Sequence, residues 1–156
     1  MVETRKAFMD SGIDPKTGLR WRITRTAQET MIERGGKRFV SPEVVDEFLR
    51  EETYSGLVRE MRELASDLPL RYAEPGGSEL DEEMLKYCPT TDYHYRVLDD
   101  GKGNVCVFPC VVNREKGQVI MITSLHYRAH SALAAAALGL QTHGQTGGNE
   151  VLRRRA

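Results

Sequence analysis

The hexapeptide LHYRAH at 125–130 gathers side chains that could do chemistry. A histidine next to an arginine suits a phosphate group, because the guanidinium offers a fixed bidentate fork and the imidazole moves a proton near neutral pH. On a strand, His126 and Arg128 point to one side and Tyr127 points to the other. A helix that begins directly after this strand would bring His130 back near His126.

An earlier predicted strand repeats this combination, since His94 and Arg96 alternate in YHYRV. In a simple meander, the first and third strands lie about 10 Å apart with the second between them. Two His-Arg pairs would then face each other across the middle strand, with Lys102 and Arg114 in the turns at its opposite ends. Metal-free RNA cleavage needs such a set: a base for the 2′-hydroxyl, cations for the phosphate and an acid for the leaving oxygen. The predicted catalytic residues are His126, Arg128 and His94, and the predicted substrate-binding residues are Arg96, Lys102, Arg114, Tyr127 and His130.

These residue types also have a purely structural interpretation, since half-buried sheets often carry His, Tyr and Arg at their rims. The second hypothesis is therefore a non-enzymatic regulatory binding module that contacts nucleic acid or a protein partner. The charge pattern allows both contacts: 1–38 holds nine Lys/Arg against five Asp/Glu, 39–91 five against thirteen, and 92–156 eight against five. The basic ends suit RNA, and the acidic helices predicted at 42–66 suit a basic protein partner.

Three strands joined by two short turns must position the predicted site. Alternation in YHYRVL indicates the first strand, and DDGKGN and NREKG have the composition of hairpin turns. Pro109 has no backbone N–H, so it predicts a bulge or an exposed edge in the middle strand. The third run, VIMITSL, is apolar on both faces and predicts a central strand that is covered on both sides.

Helices are predicted before and after this sheet. Ser41 is a good N-cap for the following PEVVDEFLREE, and a second apolar stripe starts at Leu57 and ends before Pro69. Ser78 and Asp81 resemble a capping box at the start of LDEEMLKY. An alanine-rich helix is predicted after the last strand. The predicted core joins helix and strand positions: Phe48, Leu49, Leu57, Met61, Leu64, Ile120 and Ile122.

Together these elements predict an α+β fold, in which N-terminal helices pack on a three- to four-stranded antiparallel sheet. A short C-terminal helix follows the sheet. We predict a single domain over 1–140 and a flexible basic tail over 141–156. The tail is rich in glycine and polar residues, so it cannot bury enough apolar surface to offset the entropy lost on ordering.

Cys88, Cys106 and Cys110 are an odd number in a chain without an export signal, so a disulfide framework is not expected. Cys106 and Cys110 would lie roughly 13 Å apart on an extended strand unless Pro109 bends it, and no second ligand pair with zinc-like spacing follows. We therefore predict no metal and no cofactor. No apolar run reaches the roughly 18 residues that span a bilayer, so the predicted location is the cytoplasm, without membrane contact.

In the order and texture of its elements, the chain resembles the RelE/ParE-type toxins, a group of small metal-independent ribonucleases. The resemblance covers roughly 19–130. It rests on strand-like LRWRITRTAQETM, the acidic amphipathic helices, YHYRVLDDGKGNVCVFPCVV and a final strand that ends in HYR. It implies RNA as substrate, and the phosphate-facing residues that it implies are Arg96, Arg114, His126, Tyr127 and Arg128. The chain departs from this group in its length, its acidic central segment, and the helix and tail after the last strand.

Overall fold

The computed structural model of the chain describes residues 8–31, 54–87 and 93–142, together with isolated positions between 33 and 50. Seven strands and four helices have their bounds within these residues. The strands are β1 (Phe8–Ile13), β2 (Arg20–Ile23), β3 (Arg71–Tyr72), β4 (Tyr93–Asp99), β5 (Val105–Asn113), β6 (Gln118–Met121) and β7 (Leu125–Tyr127). The helices are α1 (Arg25–Thr30), α2 (Tyr54–Asp67), α3 (Glu79–Tyr87) and α4 (Ala132–Thr142).

One mixed sheet contains these seven strands, in the order β1-β2-β6-β5-β4-β3, with β7 also paired to β5. Strand β5 is central: β4 pairs along one of its edges, and β7 and β6 share the other edge in succession. The β2–β6 pair is parallel, and the other pairs are antiparallel. The whole sheet is therefore organised around one long strand.

The predicted three- to four-stranded antiparallel sheet with N-terminal helices is wrong. Two strands, β1 and β2, precede the first helix, and β2 joins the sheet in parallel beside β6. Turn signals could not predict this pair, because parallel strands come together only through a long crossover connection. The last apolar run also divides at 122–124, so it forms β6 and β7 rather than one strand.

Helices cover both faces of the sheet. On the first face, α2 packs over the sheet, and its residues Leu57, Met61 and Leu64 are buried in one core with Trp21 and Phe108. On the second face, α3 and α4 cover a separate core that includes the buried tyrosines of β4. Because both faces carry a core, β4 and β5 are buried along nearly their whole length.

The predicted core is confirmed at its three α2 positions and is wrong at Ile120 and Ile122. Ile120 and Ile122 are only half-buried, while their neighbours Val119 and Met121 are fully buried in the first core. The run is apolar at consecutive positions, so alternation alone could not decide which side faces the larger core.

Pro109 lies in regular register opposite Tyr95, without the predicted bulge or exposed edge. Its carbonyl accepts a hydrogen bond from the Ile122 N–H at 3.1 Å, so its nitrogen faces the same side, where the chain passes from β6 to β7. No backbone N–H is needed from residue 109, because β6 has ended and β7 has not begun on that side of β5. The neighbouring strand is interrupted there, and the proline is accommodated without any irregularity in β5.

The capping box predicted for α3 is confirmed. The Ser78 hydroxyl accepts a hydrogen bond from the Asp81 N–H, and the Asp81 carboxylate accepts one from the Ser78 N–H, both at 3.1 Å. This reciprocal pair satisfies two donors at the helix start. The helix predicted to begin at Ser41 lies mostly outside the described residues, as do the predicted core positions Phe48 and Leu49.

The alanine-rich helix predicted after the last strand is confirmed as α4, which ends at Thr142. The remainder of the predicted tail lies outside the described residues. Within the ranges that the structure describes, no helix combines the length and the apolar character needed to cross a membrane.

Candidate functional site

The predicted site residues lie on the strands and turns that surround β5. They are spread along the length of this nine-residue strand, which is roughly 26 Å. At the start of this strand, Lys102 occupies the β4–β5 turn, and the turn after β7 exposes Arg128 and His130. The Ala129 N–H donates to Asn104 Oδ1 at 2.9 Å and so ties the two turns together. We define the histidine cluster as Lys102, His126, Arg128 and His130.

The two predicted catalytic histidines, His94 and His126, share the first face of the sheet but lie far apart on it. His94 is opposite Cys110 and His126 is opposite Cys106, on strands that flank β5 from its two sides. Two strand spacings and four residues of rise separate their Cα atoms by roughly 16 Å. Buried side chains of the first core, including Phe108, lie between these positions. The two imidazoles therefore do not form one acid–base pair.

The remaining predicted residues are separated further. Arg114 is exposed in the β5–β6 turn, at the opposite end of β5 from the histidine cluster. Tyr127 points to the second face, where burial and the nearby Tyr87 and Glu83 raise the pKa of its phenol. The structure thus places four predicted residues on β7 and the two turns at one end of β5. Of the other four, Tyr127 points to the second face, and His94, Arg96 and Arg114 lie elsewhere.

Arg96, which was predicted to bind phosphate, is fully buried beneath α2. Its Nη2 donates to Asp14 Oδ2 at 2.7 Å, and its Nη1 donates to the Ala65 carbonyl at 3.3 Å. The guanidinium also lies over the ring of Trp21, 5.1 Å from its centroid. Neither partner of the Arg96–Asp14 salt bridge is exposed. This arginine is therefore part of the core and does not reach a phosphate group in solution.

A cavity of about 420 Å³ opens at the end of the sheet that carries Arg114. Its walls come from the β1–β2 and β5–β6 turns and from the adjoining strand ends. The volume falls within the range of small ligand sites, about 300–1,000 Å³. We define the end cavity by its lining residues, which are Ile13, Gly18, Leu19, Arg20, Lys116, Gly117 and Gln118.

Strand register explains why these side chains meet. Ile13 is paired with Arg20 across β1 and β2, and Arg20 is paired with Gln118 across β2 and β6. Paired residues point to the same side, so the three side chains form one row on the second face of the sheet. The Arg20 N–H also donates to the Gly117 carbonyl at 3.1 Å, which joins the two turns.

Asp14 is buried and stabilises the β1–β2 turn through hydrogen bonds. Its carboxylate accepts hydrogen bonds from the Thr17 hydroxyl at 2.8 Å and the Thr17 N–H at 3.2 Å, and its carbonyl accepts one from the Gly18 N–H at 2.7 Å. Gly18 has a φ of +74°, a conformation that favours glycine. Because the same carboxylate binds Arg96, this wall of the end cavity is attached directly to the core.

The end cavity is positively charged. Two lining residues, Arg20 and Lys116, are exposed cations, and the same two turns also expose Lys16 and Arg114. Glu115 is the exposed acid of these turns, since the other one is the buried, ion-paired aspartate described above. This excess of cations attracts anions, most strongly at low ionic strength.

Asp81, a second buried carboxylate, lies under α3 on the second face of the sheet, whereas Asp14 binds Arg96 on the first face. Asp81 Oδ1 accepts a hydrogen bond from the Tyr95 hydroxyl at 2.7 Å. Burial, together with this hydrogen bond, raises the pKa of Tyr95. Asp81 is 6% exposed and Tyr95 is fully buried, so this pair supports the structure and is closed to a ligand.

The cysteines of β5 are buried free thiols. Burial raises the pKa of both Cys106 and Cys110, that of Cys110 to about 12. A thiol that keeps its proton is a poor nucleophile and a poor metal ligand. Both side chains therefore act as small apolar groups of the first core.

Comparison with known proteins adds no family to this geometry: no family model, no curated protein and no solved structure matches the chain. The resemblance to the RelE/ParE-type toxins stays a prediction. The end cavity and the histidine cluster are interpreted from their own chemistry.

Sequence reasoning did not select Ile13, Arg20 or Lys116. Two signals were visible, the basic excess of 1–38 and the turn composition of DSGIDPKTGLRW. Strand β1 was not predicted, however, and neither was the parallel β2–β6 pair. Without those two features, nothing in the sequence connects the β1–β2 turn with the β5–β6 turn.

Proposed function

We propose that the protein is a non-enzymatic binding module that holds an anionic partner at the end cavity. One observation carries this proposal: the cavity is flanked by Arg20 and Lys116 and backed by a turn that a buried salt bridge attaches to the core. A positive surface that is already ordered binds an anion with little further loss of conformational entropy. The lining offers aliphatic, amide and cationic side chains, without a carboxylate, imidazole or thiol, which favours binding over catalysis.

Charge reversal at the cavity tests this proposal. In the double variant Arg20→Glu/Lys116→Glu, we expect the affinity for a glutamate-rich peptide and for a short single-stranded RNA to fall by on the order of tenfold or more, because attraction becomes repulsion. Both positions are exposed, so the fold is retained. Fluorescence anisotropy with labelled probes at about 50 mM salt, where screening is weak, measures the change.

The matched control reverses the same two residue types at the histidine cluster. Lys102→Glu/Arg128→Glu changes the net charge by the same amount at the opposite end of β5. We expect this variant to bind both probes nearly as well as the natural chain. Equal losses in the two double variants would show that net charge, rather than the end cavity, controls binding. If neither the peptide nor the RNA binds measurably, the proposal is wrong.

A metal-independent ribonuclease is the second candidate function. It is favoured by the adjacency of Lys102, Arg128 and His130, which are exposed on two turns joined by the Asn104–Ala129 hydrogen bond. Such a cluster offers cations for a phosphate and an imidazole for proton transfer. It would work without His94, because that residue lies on the other side of β5.

Incubation of purified protein with RNA tests this candidate. If it holds, His130→Ala and Arg128→Ala abolish cleavage while circular dichroism shows an unchanged fold, since the proton carrier or the phosphate fork is lost. His94→Ala leaves cleavage intact, and EDTA makes no difference. A natural chain that leaves RNA uncut retires the ribonuclease and leaves the binding module.

A further inference from the structure

We infer that the partner held at the end cavity is an acidic protein segment that inserts an aliphatic side chain between the cations. This inference rests on the proposed binding function and names the class of partner. It combines three features of the cavity: an aliphatic floor, cationic walls and a lining without aromatic rings.

The floor of the end cavity is aliphatic. Ile13 is 54% exposed, and Leu19 lies beside it in the lining while packing partly against the first core. Covering exposed aliphatic surface is favourable in proportion to the apolar area removed from water. The other large hydrophobic residues exposed in the described ranges are Tyr72 and Tyr87, which belong to β3 and α3. Among the described residues, Ile13 is therefore the exposed aliphatic side chain against which an aliphatic group of the partner can pack.

The walls of the cavity select carboxylates around that aliphatic group. Arg20 is paired with Ile13 across β1 and β2, so the two side chains lie next to each other. Lys116 lines the cavity from the β5–β6 turn. A guanidinium binds a carboxylate through two parallel hydrogen bonds, and a lysine ammonium adds a point charge. A leucine with Glu or Asp on both sides would place its side chain on Ile13 and its neighbouring carboxylates on the two cations.

Single-stranded RNA fits this lining less well. Proteins that bind single strands stack bases on aromatic rings, and the lining of the end cavity contains none. Trp21 follows Arg20 in the sequence but points to the opposite face, where it is fully buried. The cavity therefore offers phosphate-binding cations without a surface for bases, which favours a peptide over RNA.

Three probes of the full chain separate these partners. The first is an acidic peptide with one central leucine, the second is the same peptide with serine in its place, and the third is a short single-stranded RNA. We expect the leucine peptide to bind on the order of tenfold more tightly than the serine peptide, because the leucine buries apolar area on Ile13. The RNA is expected to bind more weakly than the leucine peptide.

Substitution of the floor locates the inserted side chain. Ile13→Ser should lower the affinity for the leucine peptide to that of the serine peptide, while the serine peptide keeps its affinity because the cations remain. Ile13→Thr, which retains a β-branched residue in the strand, should act in the same way. The control is Tyr72→Ser, which removes a side chain that is 42% exposed at the opposite edge of the sheet and should leave the preference for leucine unchanged.

The possible results distinguish the two levels of the proposal. Equal affinities for the leucine and serine peptides would overturn the inserted aliphatic side chain. Tighter binding of RNA than of either peptide would overturn the acidic segment. Both results would leave anion binding intact. A leucine preference that survives in both Ile13 variants would also overturn the insertion, since the aliphatic group would bind elsewhere. If none of the three probes binds, the proposed function fails together with this inference.

Discussion

Asp14 and Asp81 are buried on opposite faces of one sheet and are used in similar ways. Each carboxylate accepts a hydrogen bond from nearby backbone: Asp14 within the β1–β2 turn and Asp81 at the start of α3. Each also accepts one bond of 2.7 Å from a buried side chain of β4, Arg96 in the first case and Tyr95 in the second. In both places, a local backbone motif is attached to the centre of the sheet.

The two pairs differ in the charge of the partner, and this difference decides how strongly each motif is attached. Arg96 is a buried cation whose counter-ion is Asp14, so removal of that carboxylate leaves an uncompensated charge in the core. Tyr95 is a neutral phenol that also has a hydrogen bond with Arg71, so removal of Asp81 takes away one of its two partners and strands no charge on Tyr95. We therefore expect removal of the Asp14 carboxylate to cost more than removal of the Asp81 carboxylate.

The largest effect is expected for Asp14→Ala. This variant strands the charge of Arg96 in the core, and we expect the free energy of unfolding to fall by about 3–5 kcal/mol. Urea denaturation followed by circular dichroism measures the loss. The control is Glu115→Ala, an exposed acid at the same end of the sheet, for which we expect a change within about 0.5 kcal/mol. A loss below about 1 kcal/mol for Asp14→Ala would contradict the comparison of the two pairs.

A smaller effect is expected for Asp81→Ala. The variant loses half of the capping box and leaves the Tyr95 hydroxyl without its acceptor, which together should cost about 2–3 kcal/mol. Peptide binding at the end cavity should be unchanged, because α3 covers the other part of the sheet. Glu79→Ala, an exposed acid in the first turn of α3, is the control. If Asp81→Ala were as costly as Asp14→Ala, the charge of the partner would not be the deciding factor.

The smallest effect concerns alkaline pH and isolates the phenol of the second pair. Burial raises the pKa of Tyr95 in the folded state, whereas an unfolded tyrosine loses its proton near pH 10. The stabilisation from this proton is complete below about pH 10 and is lost as the pH rises, at up to about 1.4 kcal/mol per pH unit. In Tyr95→Phe, the free energy of unfolding should therefore fall less steeply between about pH 9 and about pH 11. Parallel curves for the variant and the natural chain would show that Tyr95 ionises normally.

The β4–β5 turn of the histidine cluster, like the β1–β2 turn of the end cavity, is held by hydrogen bonds to aspartate carboxylates. In the β4–β5 turn, Asp99 accepts a hydrogen bond from the Gly101 N–H and Asp100 accepts one from the Lys102 N–H, both at 2.8 Å. Both of these bonds lie within the turn itself. Exposed cations occur at both ends of the sheet, and the Arg96–Asp14 salt bridge lies behind the cavity end. Cation content by itself therefore does not identify the binding surface.

Features that depend on neighbours in the chain could be predicted from the sequence. The capping box of Ser78 and Asp81 was predicted because its two residues are three positions apart and bond to each other. The β4–β5 hairpin followed from the turn DDGKGN after the alternating run YHYRVL, and its register is regular from end to end. The apolar stripe of α2 was also correct, because helical spacing alone brings its residues to one side.

The tertiary structure decided everything that depends on distant pairing. Arg96 has the same sequence signal as a surface arginine of a strand, and only the approach of Asp14 and Trp21 makes it a core residue. The parallel β2–β6 pair likewise brings Arg20 beside Gln118, although no local pattern links them. Bringing such distant segments together costs conformational entropy, and the packing of the whole domain must offset that cost. Local residue patterns therefore do not reveal the pairing. The sequence by itself determined where most helices and strands lie, while tertiary pairing decided which of their charged residues are buried and which surround a cavity.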